Sequence, residues 1–288
     1  MAIFTNQATL SYRNGTVSSN TVTGEILEAL SVTKTALPDT YSRDDVITYV
    51  VSIINSGAAA VSGVTVTDDL GAYPFNLSTL VPLTYVPDSA AYYLDGVLQP
   101  TPTVSAGTNL VFENITVPAN GNAILIYQAR INQYAPLSGG SEIVNNVSVT
   151  GAGICNDVAA TETITASSEP SLGITKEIFP STVTENGQLT YTFTVQNFGN
   201  VEASAADDLA IIDTFEPALG AVTVTYNGVA WTQGVQYNYD PATGVFSTVA
   251  GNITVPAATY MQDPVSGEWS IRPGESVIVV TGRVYCNA

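Results

Sequence analysis

The chain has 288 residues, room for two domains of ordinary size, and apolar residues make up 45% of it, too many for disorder. Only 11% are charged, 25 acidic against 7 basic, and the net charge of −18 argues against nucleic acid or an anionic membrane as partner. Histidine is absent, which removes the usual general base and the commonest metal ligand. Valine, isoleucine, threonine and tyrosine in short runs between glycines and prolines make an all-β composition. No apolar run is long enough to span a membrane, so membrane insertion is not expected. The opening MAIFTNQATL has neither a basic region nor an apolar core of a secretory signal. The numbering therefore starts at a mature or engineered start, or the protein leaves the cell by another route.

Residues 6–26, NQATLSYRNGTVSSNTVTGEI, read as two short strands around Arg13-Asn14-Gly15, and Asn-Gly is a strong hairpin signal. A lone hairpin is marginal in water and needs a sheet to join. Alternation puts Asn6, Ala8, Leu10 and Tyr12 on one face, and Val22 supplies an apolar side chain from the return strand.

After the connector 27–29 comes LSVTKTALPDTYSRDDVITYVVSIINSG, and 142 residues later LGITKEIFPSTVTENGQLTYTFTVQNFG. Leu30, Lys34, Pro38, Thr48, Tyr49, Asn55 and Gly57 match Leu172, Lys176, Pro180, Thr190, Tyr191, Asn197 and Gly199. A period this long means two repeated domains rather than a solenoid. Further on, VTVTDDL (64–70) matches LAIIDTF (209–215), and LDGV (94–97) matches YNGV (226–229). GNAILIYQARI (121–131) matches GESVIVVTGRV (274–284) without a gap. An insertion around 257–267 in the second repeat is expected to be a surface loop. About seven strands per repeat predict two tandem immunoglobulin-like β-sandwiches, 30–167 and 168–288, preceded by a donor hairpin and connector over 1–29.

The first repeat runs on into NNVSVTGAGICNDVAATETITA (145–166), which has the pattern of the N-terminal hairpin; the second stops four residues after Val284. Seven residues separate Thr23 from Leu30, and seven separate Thr165 from Leu172. The first hairpin thus stands to domain one as domain one's own hairpin stands to domain two. The expectation is that the hairpin of one molecule completes domain two of another, giving a head-to-tail homopolymer. Folding back within one chain would have to bypass domain one through a three-residue connector, roughly 10 Å long.

The two lysines, Lys34 and Lys176, occupy matched positions. Alternation aims Lys34 inward with Leu30 and Val32, Asp68 with Val64 and Val66, and Asn145 with Val147 and Val149. The second set is Lys176, Asp213 and, from a neighbouring molecule, Asn6. Buried charges must pair or react. One reading is an ion pair with asparagine filling the remaining hydrogen-bond needs. The other is an autocatalytic isopeptide bond. Desolvation lowers a lysine pKa and raises an aspartate's, letting the amine attack the carboxamide and release ammonia. Lys34–Asn145 would staple domain one, and Lys176–Asn6 would link molecules. This arrangement resembles the lysine, acid and asparagine triads of immunoglobulin-like pilin and adhesin domains.

A first strand ending in Thr-Lys, a run such as YVVSIINSG (49–57), a Val-Thr-Asp turn and a closing Asn-x-Ala/Val-x-Val strand resemble the bacterial surface repeat family called domain of unknown function eleven. Size, acidity and two-domain architecture also resemble the subunits of clostridial spore appendages. Those resemblances imply a structural surface role, with spore proteins released by lysis of the mother cell.

Cys155 and Cys286 are free thiols or, outside the cell, partners in a disulfide between subunits. Asp68-Asp69 and Asp207-Asp208 lack the alternating pattern of a calcium loop and fit turn chemistry. No cofactor motif, metal cluster or catalytic triad is visible, so no enzyme is expected. A surface adhesin or carbohydrate-binding module, with Trp231 and Trp269 in loops, is the alternative to a fibre. The sequence names no anchor or tip protein.

Overall fold

The computed structural model describes residues 2–26, 28–151, 153–154 and 156–284. Among them the fold is all-β, built of several antiparallel sheets, with one 3₁₀ turn, Ala205–Asp207. None of its helices is long and apolar enough to cross a membrane.

Strands β1 (Ala2–Asn6), β2 (Thr9–Tyr12), β3 (Gly15–Ser18) and β4 (Val22–Ile26) make one long hairpin. β1 pairs with β4, Asn6 opposite Val22, and β2 pairs with β3, Tyr12 opposite Gly15. Ser19 stitches the break between the two halves: its backbone N–H donates to the Ala8 carbonyl at 2.9 Å, and its Oγ accepts from the Ala8 N–H at 3.0 Å. Phe4, Leu10, Tyr12, Val17 and Val22 are all more than half exposed. Each strand of the hairpin is therefore paired along one edge only, and the apolar side chains are left uncovered.

The chain divides into two compact units, residues 1–135 with 142–164, and residues 136–141 with 165–288. Unit one adds β5 (Leu30–Leu37), β6 (Thr40–Tyr41), β7 (Val46–Asn55), β8 (Val61–Asp68), β9 (Tyr73–Phe75), β10 (Ser78–Leu80), β11 (Leu83–Tyr85), β12 (Ala91–Leu94) and β13 (Val97–Gln99). Its later strands are β14 (Thr103–Ala106), β15 (Leu110–Val117), β16 (Gly121–Ile131), β17 (Glu142–Thr150) and β18 (Val158–Ala166). Of these, β9 and β10 pair with each other as a separate hairpin, and the other twelve build two six-stranded sheets. One runs β13-β12-β16-β7-β5 with β11 also on β16; the other runs β14-β15-β8-β17-β18-β6. The long central strands alternate strictly, so Ile47, Tyr49, Val51 and Ile53 of β7 meet Leu125, Tyr127 and Ala129 of β16 in the core.

Unit two has β19 (Leu172–Phe179), β20 (Gln188–Asn197), β21 (Ile212–Thr214), β22 (Leu219–Tyr226), β23 (Val229–Trp231), β24 (Tyr237–Tyr239) and β25 (Val245–Thr248). It ends with β26 (Thr259–Gln262), β27 (Trp269–Arg272) and β28 (Gly274–Val284). Its first sheet, β19-β20-β28-β22-β23, follows unit one's plan, but its second, β21-β25-β24, has three strands. Phe193, Phe215, Phe246 and Tyr239 fill the space between them. The insertion of the second repeat is not an irregular loop: β26 and β27 pair as a hairpin, Gln262 opposite Trp269.

The repeat's shared residues have shared jobs. Asn55 and Asn197 are buried, and each Oδ1 accepts the N–H of the glycine two residues on, at 2.9 Å. Their Nδ2 groups donate to the Ala59 and Val201 carbonyls. The matched turns Asp95-Gly96 and Asn227-Gly228 have both central residues at positive φ, the type I′ geometry that only such dipeptides take readily.

Candidate functional site

In unit one the expected trio lies between the sheets. β5 pairs with β7 and brings Lys34 inward; β8 brings Asp68 inward from the other sheet. β17 lies beside β8 with Val147 opposite Asp68, which sets Asn145 on the same inward face. All three are buried, Asn145 completely. Lys34 Nζ donates to Asp68 Oδ2 at 2.5 Å. The same oxygen accepts the hydroxyl of Tyr127, and Asp68 Oδ1 accepts the Leu70 N–H at 2.8 Å. Asn145 Oδ1 accepts the Gly71 N–H at 3.2 Å, while its Nδ2 is buried with no hydrogen-bond partner. Lys34 Nζ also sits 4.9 Å from the ring centroid of Tyr49.

The electrostatics follow from this burial. Desolvation pushes the Lys34 ammonium below its ordinary pKa, and the facing Asp68 carboxylate opposes that shift without cancelling it. Desolvation, with Asp68 nearby, pushes the Tyr127 hydroxyl well up, so it stays a donor. Tyr127 was not foreseen. Its signal was available: it stands at an inward position where the matched strand of the second repeat has Val280.

In unit two Lys176 and Asp213 also form an ion pair, but their side chains are 40% and 20% exposed, against 0% and 1% for Lys34 and Asp68. Lys176 Nζ lies 4.5 Å from the Tyr191 ring centroid and 5.5 Å from those of Phe193 and Phe215. On β19 the positions matching the inward face of β5 are open: Leu172, Ile174 and Ile178 are 44%, 56% and 45% exposed. β21 pairs with β25 on one side, Asp213 opposite Phe246. Among the described residues no strand lies along its other side, the side that β17 takes on β8. Asn6, the third member expected here, is exposed in β1.

The other candidates have separate roles. Asp69 is used in turn chemistry: its carboxylate accepts from the Gly71 and Asn146 N–H groups at 2.9 Å and from Asn146 Nδ2 at 2.7 Å. Asp207 closes a capping box with Ser204. Trp231 stacks on Tyr226, centroids 5.0 Å apart, and packs against the core. Cys155 and Cys286 lie outside the described residues.

No family model and no curated protein matches the chain. Solved structures do. The major pilin subunit BcpA of Bacillus cereus is 12% identical, over 94% of this chain and 73% of its own, with a TM-score of 0.35. The pilus backbone RrgB of Streptococcus pneumoniae is 10% identical, over 85% and 55%, at 0.34. The full-length major pilin SpaD of Corynebacterium diphtheriae is 12% identical, over 84% and 58%, at 0.35.

Proposed function

We propose that this chain is the subunit of a self-assembling fibre on a bacterial cell or spore surface. Its copies join head to tail, the N-terminal hairpin of one entering unit two of the next. The observation that carries this reading is the unpaired side of β21 next to the uncovered face of β19. In unit one the same two places are covered by β17 and β18. A hairpin with the β17–β18 pattern and exposed apolar side chains is the matching piece. Copying the register of β17 on β8 puts Ala8 opposite Asp213 and Leu10 opposite Ile211, with Asn6 one step further on the inward face. Docking supplies backbone partners to β21 and contributes about 1.5–3 kcal/mol for each large apolar side chain it fully covers.

Docking also changes the chemistry open to Lys176. Covered as Lys34 is, the amine would lose its water and face the Asn6 carboxamide across Asp213. In the bond-forming step Lys176 Nζ attacks Asn6 Cγ, a C–N amide bond forms, and the Cγ–Nδ2 bond breaks. Asp213 passes the proton from the attacking nitrogen to the departing one, which leaves as ammonia, with no change of oxidation state. Lys34, Asp68 and Asn145 are suited to the same step inside unit one. Until docking, Lys176 stays solvated.

Boiling assembled fibres in SDS with reductant, followed by peptide mass spectrometry, tests the covalent part. A surviving ladder with Lys176 joined to Asn6, one ammonia lighter, is the expected result; collapse to a single band rules the intermolecular bond out. Deleting residues 1–26 should abolish polymerisation and leave unit one folded. Normal fibres from the deleted chain would refute hairpin exchange.

A further inference from the structure

The turn of the hairpin carries a basic side chain, Arg13. Residues 1–26 hold one basic side chain, Arg13, and one acidic one, Glu25, so the whole −18 of the chain resides in residues 27–288. The hairpin is thus the nearly neutral part of a strongly acidic chain, with an arginine at its tip, and it meets less of the repulsion between copies than the rest of the chain does.

Unit one indicates where that tip would land. The loop after β17 bends back to the connector that leads into β5, where Asn156 Nδ2 donates to Glu28 Oε1 at 2.9 Å. With Gly153 and Ile154 of this loop in place, only a small cavity of about 80 Å³ remains beside Leu30. Arg13 lies seven residues beyond Asn6, and Gly153 eight beyond Asn145, so the two turns correspond. Unit two has the same corner beside Leu172, the match of Leu30. There it is an open groove of about 640 Å³, floored by Pro170, Leu172 and Leu209 and edged by Glu169, Glu202 and Asp207. The three carboxylates are on exposed residues.

We propose that this groove receives Arg13 of the neighbouring copy's hairpin, and that the contact steers and registers each addition to the fibre. The inference rests on the hairpin-docking reading and deepens it. The groove in unit one is filled by a covalently attached tip with a polar contact to Glu28; the groove in unit two is larger, acidic and matched to the one basic residue the hairpin owns. An exposed ion pair of this kind adds little to the final stability and much to the encounter rate, through long-range attraction.

The test is the rate of fibre growth from purified full-length subunits, followed by light scattering at about 20 mM and about 300 mM salt. Arg13→Glu should slow growth about tenfold at low salt and far less at high salt, where screening removes the attraction. Glu202→Lys should slow it in the same salt-dependent way, and the double variant should recover most of the loss. Arg272→Glu makes the same change in net charge on an exposed residue of β27 and should grow near the wild-type rate. An Arg13→Glu rate equal to wild type at low salt, or a deficit equally large in Arg272→Glu, overturns the steering contact. If deletion of residues 1–26 still abolishes fibres in that event, hairpin docking survives without it; fibres that persist after the deletion remove both readings.

Discussion

The two units are copies of one plan in opposite states. Unit one has its second sheet complete, and its lysine and aspartate are sealed between the sheets. Unit two has the same lysine and aspartate on the same strands, yet β19 is open along its inward face and Lys176 remains 40% exposed. What separates a buried lysine–aspartate pair from a partly exposed one is therefore the presence of two strands, not the identity of the pair. A side chain acquires its chemistry from whatever excludes water around it.

The strongest way to probe this contrast is to remove each lysine. Lys34→Met leaves Asp68 buried without its cation, or removes the covalent staple, and should destabilise unit one by about 3–5 kcal/mol. Lys176→Met breaks a solvated pair and should cost unassembled subunits less than about 1 kcal/mol. Urea titration of the two variants gives the comparison directly; equal losses would mean that the exposure of the unit-two pair does not hold in solution.

A smaller difference should come from Tyr127→Phe, which takes one donor from the buried Asp68 oxygen and should destabilise unit one by about 1–3 kcal/mol. Unit two has Val280 at that place, so no tyrosine hydroxyl is offered to Asp213. A Tyr127→Phe chain as stable as wild type would show that Lys34 and the Leu70 N–H satisfy Asp68 without the hydroxyl.

The most modest effect is on pH, and it separates the ion pair from the amide. Burial holds Lys34 below its ordinary 10.5, so the unfolded chain binds the extra proton between the two values, and stability rises with pH across that window. Burial holds the Tyr49 and Tyr127 hydroxyls above their ordinary 10.0, so the unfolded chain loses protons first once pH passes 10, and stability falls. A unit one with a free Lys34, as in Asn145→Ala, should thus gain stability on the approach to pH 10 and lose it beyond. A wild-type chain carrying the amide has no amine to titrate and should show only the fall. Denaturant midpoints measured from pH 7 to 11 distinguish the two curves, and a rising limb in the wild type would sink the Lys34–Asn145 bond.

Much of the site was legible because strand periodicity is local. Lys34, Asp68 and Asn145 could be set on inward faces from alternation alone, since each shares a strand with apolar neighbours at every second position. Tyr127 was missed because a tyrosine on an inward face reads as packing; that its hydroxyl reaches Asp68 depends on β16 and β8 lying in opposing sheets. The β26–β27 hairpin was missed for a related reason. Its strands pair with each other, and nothing in the repeat offered a template for them.

By itself the sequence determined the strands, the two-fold repeat and the matched lysines, because alternation and turn dipeptides act over a few residues. Tertiary structure alone decided which copy of the lysine–aspartate pair is dry, since burial depends on strands that lie far away in the chain. It also decided that the corner beside Leu172 is open and edged with acid, because that space is defined by three separate segments of unit two meeting around it.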